Sequence, residues 1–318
     1  MPDRSNGPGF PKHFDGRRFY NPDARQAPGL LDVIQWKLTS RPEPSPSFIA
    51  DVDPSAPPSR VNGNALRVTL VNHSTVLLQE GGSNILTDPI WSERASPLSW
   101  IGPRRRRKPG VQIEDLPRID AVLISHNHYD HLDLPTLGQL ATRKASTFIV
   151  PACGARLLRS NNIGPVHELD WGESLSLPNF SVHSVPALHF SARGVLDRNK
   201  ALWCGYLIES PEGLVYFAGD TAFGRHFAQI REKFGAPDLA LLPIGAYEPR
   251  WFMSPVHMAP EEAVKAHEIL AAHTSIAMHH GTFQLTDEGI DTPKKQLVAC
   301  APPESFLVLN NGQFADIP

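Results

Sequence analysis

The chain has 318 residues, 41% hydrophobic and 20% charged, which is enough apolar material for one large domain or two ordinary ones. A formal net charge of −3 supplies no global attraction for nucleic acid or anionic lipid, and no run reaches the roughly 18 apolar residues of a membrane span. Cys153, Cys204 and Cys300 lack CxxC spacing, which argues against a thiolate metal site or a disulfide framework, and the polar N-terminus lacks a signal peptide's apolar centre, so a cytoplasmic location is expected.

Residues 1–60 read as a proline-rich arm laid over the molecule. Pro42, Pro44, Pro46, Pro54, Pro57 and Pro58 prevent a sustained helix or central strand, only Leu30–Leu38 shows helical spacing, and nothing in the arm reads as catalytic. Residues 61–318 read as a single domain. Short β-type runs occupy Arg67–Val71, Thr75–Gln79 and Asn84–Thr87, with Glu80-Gly81-Gly82-Ser83 as a hairpin turn. Trp91–Gly110 is a loop rich in Pro, Arg and Trp, and Asp120–Ser125 is the next strand. Asp133 is expected to cap a helix that follows it through about Arg143, with Pro135 in its first turn. Further strands are expected at Thr147–Val150, Phe180–Val185, Leu202–Glu209, Leu214–Ala218, Leu239–Pro243, Ser275–Met278 and Phe306–Leu309, and a helix over Pro260–Ala272 that opens with Glu261 and Glu262. The pattern predicts mixed α/β with two sheets.

His126-Asn127-His128-Tyr129-Asp130-His131 follows one of these apolar runs. Three imidazoles and a carboxylate within six residues form the donor set a borderline cation such as zinc prefers. In an extended segment His126 and His128 point the same way and can reach one cation, while Asp130 and His131, past the bend, face a second. Other apolar runs also end in a metal-competent side chain: Val182–Val185 leads to His189, Val215–Ala218 to Asp220, and Ile276–Met278 to His279. Strands ending on one edge would bring these groups together, with Asp220 able to bridge through its two oxygens. Two cations would share a water, lower its pKa and clamp the oxygens of a phosphoryl displacement or polarise a carbonyl, with Asp130 orienting the water.

These residues resemble the metallo-β-lactamase superfamily, and within it the N-acyl-phosphatidylethanolamine-hydrolysing phospholipase D branch and its bacterial relatives. The resemblance runs from about Val68 to Phe283. It is carried by His73-Ser74-Thr75, Leu86-Thr87-Asp88-Pro89, Ile101-Gly102-Pro103-Arg104-Arg105, the HxHxDH segment, Asn199–Trp203, Phe217–Thr221 and Pro243–Met253, followed by His257 and Pro260–Val264. It implies an αββα sandwich of two mixed sheets flanked by helices. It also implies one zinc on His126, His128 and His189 and a second on Asp130, His131 and His279, bridged by Asp220; the nitrogen and oxygen donors would equally accept iron or manganese. His279 rather than His280 is the implied ligand. Asp88 is implied to fix ligand geometry, and His257 to touch a substrate oxygen or assist the leaving group.

The implied activity is phosphodiester hydrolysis of a lipid-like substrate. A lactonase or another small-substrate hydrolase is the alternative on the same fold. A nuclease is disfavoured by the charge balance. Tyr247, Arg250 and Trp251 are candidate substrate-contacting residues, although Arg250 would equally suit a structural ion pair. Trp100 to Lys108, with the run Arg104–Lys108, reads either as a solvated loop or as a peripheral membrane contact, and the family resemblance adds a homodimer. His267 and His273 are expected at the surface, and His13, His167, His183 and His226 have no partner spacing.

Overall fold

The computed structural model describes residues 12–317 except 23, 51–55, 64, 144–146 and 195; parts of the arm expected over residues 1–60, Pro54 among them, lie outside the described residues. Among the described residues two seven-stranded sheets face each other. The first comprises β1 (Leu66–Asn72), β2 (Thr75–Glu80), β3 (Ser83–Thr87), β4 (Ala121–Leu123), β5 (Thr147–Pro151), β6 (Val166–Leu169) and β14 (Phe314–Ile317), in the order β14-β1-β2-β3-β4-β5-β6. The second comprises β7 (Ser174–Ser176), β8 (Ser181–Val185), β9 (Gly205–Ser210), β10 (Gly213–Phe217), β11 (Leu239–Pro243), β12 (Thr274–Met278) and β13 (Phe306–Leu307), in the order β13-β12-β11-β10-β9-β8-β7. Both are mixed: β1, β2 and β3 pair antiparallel while β3 to β6 run parallel, and β7 to β10 pair antiparallel while β10 to β13 run parallel.

The period-two alternation of strand side chains explains the layers. Val68, Leu70, Val76, Leu78, Ile85, Leu123 and Ile149 enter the large core with Val182, Tyr206, Ile208, Val215, Phe217 and Leu241 of the second sheet. Their neighbours Val71, Leu77, Leu86, Val122, Phe148 and Val150 face the other way. They pack against Leu137 and Leu140 of α2 (Leu134–Thr142) and Ala155 and Leu158 of α3 (Ala155–Arg159). Strands buried on both faces read as near-continuous apolar runs, which is why they stood out in the sequence.

Three more helices cover the second sheet: α4 (His226–Phe234), α6 (Pro260–Leu270) and α7 (Thr292–Ala299), with Phe227, Ile230, Ala263, Ala266, Leu270 and Leu297 in the large core. Two others, α1 (Leu30–Thr39) and the short α5 (Arg250–Met253), meet through Trp36 and Phe252, whose rings stack at 5.0 Å. The β6, β7 and β14 strands and the α3, α4, α5 and α7 helices carried no sequence signal that was read. The first two strands are short and half-polar, and β14 owes its existence to pairing with β1 across the whole chain. No helix among the described residues is long and apolar enough to cross a membrane.

Candidate metal centre

Strand direction determines where the chemistry gathers. Within each sheet β1, β3 and β4, and likewise β8, β10 and β12, run the same way. Each ends in a polar residue on the same rim: His73 after β1, Asp88 after β3, His126 after β4, His189 after β8, Asp220 after β10 and His279 after β12. The two rims are tied directly, since the His279 amide donates to the His73 carbonyl at 2.9 Å. Several of these residues leave the strand through a left-handed backbone, with φ of 46° at His73, 31° at Asp88 and 59° at His279. Such conformations are disfavoured for side-chain-bearing residues and concentrate at functional sites. Gly219, at φ 60°, admits no substitute: an added Cβ would lie 2.6 Å from the Ser125 Cβ.

Two sets of donors converge. In the first, Nδ1 of His189 donates to the Val256 carbonyl at 2.9 Å. Ser125 Oγ donates to Asp88 at 2.6 Å, so Nδ1 of His126 is the donor in its 2.9 Å bond to that hydroxyl. Both rings therefore turn a bare Nε2 inward, where they meet Nδ1 of His128 at 2.8 Å for His126 and 3.2 Å for His189. These separations approach the edge of about 3.3 Å expected between nitrogens that share a tetrahedral cation.

In the second set, Asp130 Oδ2 lies 3.1 Å from His73 Nε2, 3.3 Å from His131 Nε2 and 3.4 Å from His279 Nε2. Asp220 stands between the sets, its Oδ2 3.1 Å from Nε2 of His131 and of His279 and 3.8 Å from Nε2 of His126 and of His189. His131 Nε2, His279 Nε2 and Asp220 Oδ1 are buried without a hydrogen-bond partner among the described residues, which buried polar atoms rarely tolerate. This all-nitrogen-and-oxygen set, with orphaned atoms facing inward, fits a borderline cation.

The electrostatics divide along the same line. Burial, reinforced by neighbouring imidazoles, holds His126 far below the usual histidine range, and mainly burial brings His128 to about 3 and His189 to about 4. Those rings are neutral and their lone pairs are available. Burial also opposes the charged forms of His131 and His279, yet the Asp220 and Asp130 carboxylates outweigh it, lifting His131 well above its ordinary value and His279 to about 9. Asp130 and Asp220 are likewise held well below the carboxylate range by these imidazoles against burial. The second set thus favours positive charge.

The remaining expected residues are placed as follows. Asp88 accepts from the Ser125 amide at 2.7 Å and from His131 Nδ1 at 2.6 Å. His257 joins His189 and Asp220 in a compact group, its Nε2 4.0 Å from Asp220 Oδ2. His280 enters none of the metal-competent groups found among the described residues, whereas His279 does. The Tyr247 ring is buried, and Arg250 is bound to Glu262 at 2.7 Å and to the His257 carbonyl at 3.1 Å, while Trp251 faces solvent.

Three expectations need correction. The Arg104–Lys108 run is not a uniform solvated loop. Arg105 is buried and donates to Asn72 Oδ1 and the Ile90 carbonyl, and Arg107 donates to the Gly281 carbonyl, so only Arg104 and Lys108 are exposed. His267 is buried, its Nδ1 2.8 Å from Ser275 Oγ, because α6 turns it toward β12. His13, His183 and His226 do have partners, Asp170 at 2.6 Å, Glu209 at 3.1 Å and Thr221 at 3.1 Å.

His73 was missed as a site residue. The signal was present, since it too follows an apolar run at a strand end, but a short hairpin histidine does not distinguish itself from a turn residue. Arg193 was missed as well. It donates to the carbonyls of Asn127 and Leu132 at 2.9 and 2.8 Å and stacks over Tyr129, clamping the HxHxDH loop from outside.

The family model described as the β-lactamase superfamily domain matches residues 83–280, a span that holds every one of these groups except His73. The chain belongs to that superfamily. An uncharacterized protein of Mycobacterium tuberculosis is 41% identical over 285 residues, covering 87% of this chain and 75% of the relative. The N-acyl-phosphatidylethanolamine-hydrolyzing phospholipase D 1 of Caenorhabditis elegans is 36% identical over 307 residues, covering 89% of this chain and 86% of the relative. Among solved structures, Igni18, a metallo hydrolase from the archaeon Ignicoccus hospitalis, aligns with a TM-score of 0.59 at 23% identity over 80% of this chain and 99% of its own. The superfamily's two mixed sheets flanked by helices are the architecture seen here, and the chain is a metal-dependent hydrolase of that superfamily.

Proposed function

We propose that the chain is a dizinc phosphodiesterase acting on a lipid-like substrate of the N-acyl-phosphatidylethanolamine type. His126, His128 and His189 would hold one cation and Asp130, His131 and His279 the other, with Asp220 shared; iron or manganese would suit the same donors. The observation that carries this reading is the Asp220 carboxylate, poised 3.1 Å from His131 and His279 and 3.8 Å from His126 and His189. When bound, such a pair supplies Lewis acidity toward phosphoryl oxygens and acidifies water at neutral pH.

The chain's own groups supply orientation. Asp130, gripped at Oδ2 by three imidazoles, is assigned to direct the attacking water with its other oxygen. His257 is assigned to a substrate oxygen or to the leaving group, which its position 4.0 Å from Asp220 Oδ2 supports.

A groove of about 950 Å³ runs along the outer side of the HxHxDH loop, lined among others by Asn127, Tyr129, Leu98, Leu134, Arg94 and Arg193. None of the assigned ligands lines it, so its mix of apolar surface and guanidinium groups would suit the flanking parts of an amphiphilic ester rather than the reacting phosphate. Of the three candidates on the Tyr247–Trp251 segment, Trp251 is the exposed one, which supports it as a substrate contact, with the buried Tyr247 and the Glu262-bound Arg250 shaping the loop. The exposed Leu98, Trp100 and Ile101, beside Arg104, support peripheral contact with a bilayer.

The test is a substrate panel of bis-p-nitrophenyl phosphate, an N-acyl phosphatidylethanolamine and a homoserine lactone, run on metal-loaded protein. Diester cleavage that Asp130→Asn or His131→Ala abolishes is the expected result. Turnover of the lactone alone would transfer the assignment to a lactonase.

A further inference from the structure

The arm that reads as inert in the sequence reaches the candidate metal centre. Residues 12–22 form a strap against the β6–β7 and β8–β9 connections. His13 is fully buried, its Nε2 2.6 Å from Asp170 Oδ1 and its ring stacked 4.2 Å from Trp171. The chain then turns at Asp15, whose carboxylate accepts from the amides of Arg17 and Arg18 at 2.7 Å each, and the Tyr20 amide closes the loop on the His13 carbonyl. Phe19, also buried, donates its amide to the Asn199 carbonyl at 2.8 Å. These bonds deliver Asn21, 3% exposed, into the space between two segments of the domain.

There Asn21 does two things at once. Its Nδ2 donates to the His189 backbone carbonyl at 2.8 Å, and its Oδ1 accepts from the Trp203 indole at 3.0 Å. Trp203 in turn donates to the Ala187 carbonyl at 2.9 Å, on the near side of the same His189 loop. Among the described residues no other donor reaches the His189 carbonyl. His189 is therefore held from two sides: the strap grips its backbone and the Val256 carbonyl grips ring Nδ1. Only an amide side chain offers donor and acceptor at this spacing; a carboxylate lacks the donor, and alanine leaves two buried groups unpaired.

We infer that Asn21 is a positioning residue for the metal centre, and that the N-terminal strap sets the affinity of the cation bound by His126, His128 and His189. The inference rests on the ligand assignment made above. His189 lies four residues past the end of β8, so its imidazole has little strand to hold it. Fixing the loop from behind keeps Nε2 aimed at His128 Nδ1, the task that outer contacts perform for metal-binding histidines generally.

The experiment is zinc titration of metal-free protein against a chromophoric chelator, with cobalt absorption spectra as a record of coordination geometry. It compares the wild type, Asn21→Ala, Asn21→Asp and His189→Ala, alongside thermal unfolding of each metal-free chain. One of the two equivalents is expected to weaken about 10-fold in Asn21→Ala, with a changed cobalt spectrum and the other equivalent intact. The near-isosteric Asn21→Asp retains the Trp203 contact and is expected to show the same loss, which carries the test should the alanine variant fold poorly. If His189→Ala loses one equivalent while both Asn21 variants keep wild-type affinities and spectra, the inference is overturned and the ligand assignment stands. A uniform weakening of both equivalents that tracks metal-free instability also overturns it, since that is a merely structural role. If His189→Ala keeps both equivalents, the ligand assignment fails and the inference with it.

Discussion

The carboxylate of Asp88 holds the ring of His131 from behind: Oδ2 accepts from Nδ1 at 2.6 Å, so Nε2 faces Asp130 and Asp220. The same carboxylate accepts from the amide and the hydroxyl of Ser125. One side chain at the end of β3 thereby sets the tautomer of His131 and, through Ser125, that of His126, so it orients a donor in each set. Asp88→Asn keeps the shape but puts an amide N–H where an acceptor is needed. It is expected to lower metal affinity by about 10- to 100-fold, measured by competitive zinc titration, with unaltered affinity counting against the arrangement.

His73 is expected to matter to one half of the centre only. Burial, with the nearby His279, brings its ring to about 3, so it is neutral and Nε2 donates to Asp130 at 3.1 Å. His73→Ala should weaken the cation held with Asp130, His131 and His279 by roughly 10-fold and leave the other within a factor of about two. Equal binding of both equivalents would reduce His73 to a ring packed against Phe283.

The split character of the basic run gives a stability prediction. Arg105 is 4% exposed, bonded to Asn72, Ile90 and Ser92, and its guanidinium lies 5.0 Å from the Phe283 ring. Arg105→Ala leaves several buried acceptors unpaired and is expected to cost about 2–4 kcal/mol in denaturant unfolding. Arg104→Ala, on the exposed side, should change stability by less than about 0.5 kcal/mol. Comparable costs for the two would contradict the buried placement of Arg105. Co-sedimentation with anionic vesicles should respond in the opposite order, falling for Arg104→Ala.

Glu80 makes the stability pH-dependent. Burial, with Glu212 and Asp238 nearby, pushes its carboxyl from 4.5 up to about 7, although Ser210 Oγ donates to it at 3.2 Å. A carboxyl whose folded value is raised favours the protonated form, so its contribution is complete below about pH 4.5 and is lost as the pH climbs through 7. The loss is at most about 3 kcal/mol. Glu80→Gln imitates the protonated form, and its advantage over the wild type should grow between pH 5 and pH 8 in unfolding experiments. A constant difference over that interval would be inconsistent with titration of Glu80.

The strands were readable because their side chains are buried on both faces, leaving runs such as Leu239–Pro243 with no polar interruption. The α2 and α6 helices were readable from their N-terminal residues, Pro135 in one and Glu261 and Glu262 in the other. The β7 strand, half-exposed and three residues long, carries no such contrast. Arg105 and His267 were misread for a related reason: charge and polarity suggest water unless the partner is known, and Asn72 and Ser275 are distant or on another element.

Local order thus settled the continuously apolar strands and the dense HxHxDH cluster, because both depend on neighbours within a few residues. The tertiary structure decided the rest of the centre. His73, His189, Asp220 and His279 meet because β1, β8, β10 and β12 end on one rim, a consequence of strand pairings between segments far apart in the chain. Asn21 reaches His189 across 168 positions, and only packing of the strap against Trp171 and Trp203 brings it there. Such contacts are paid for in chain entropy by the whole fold, and no short window of sequence records them.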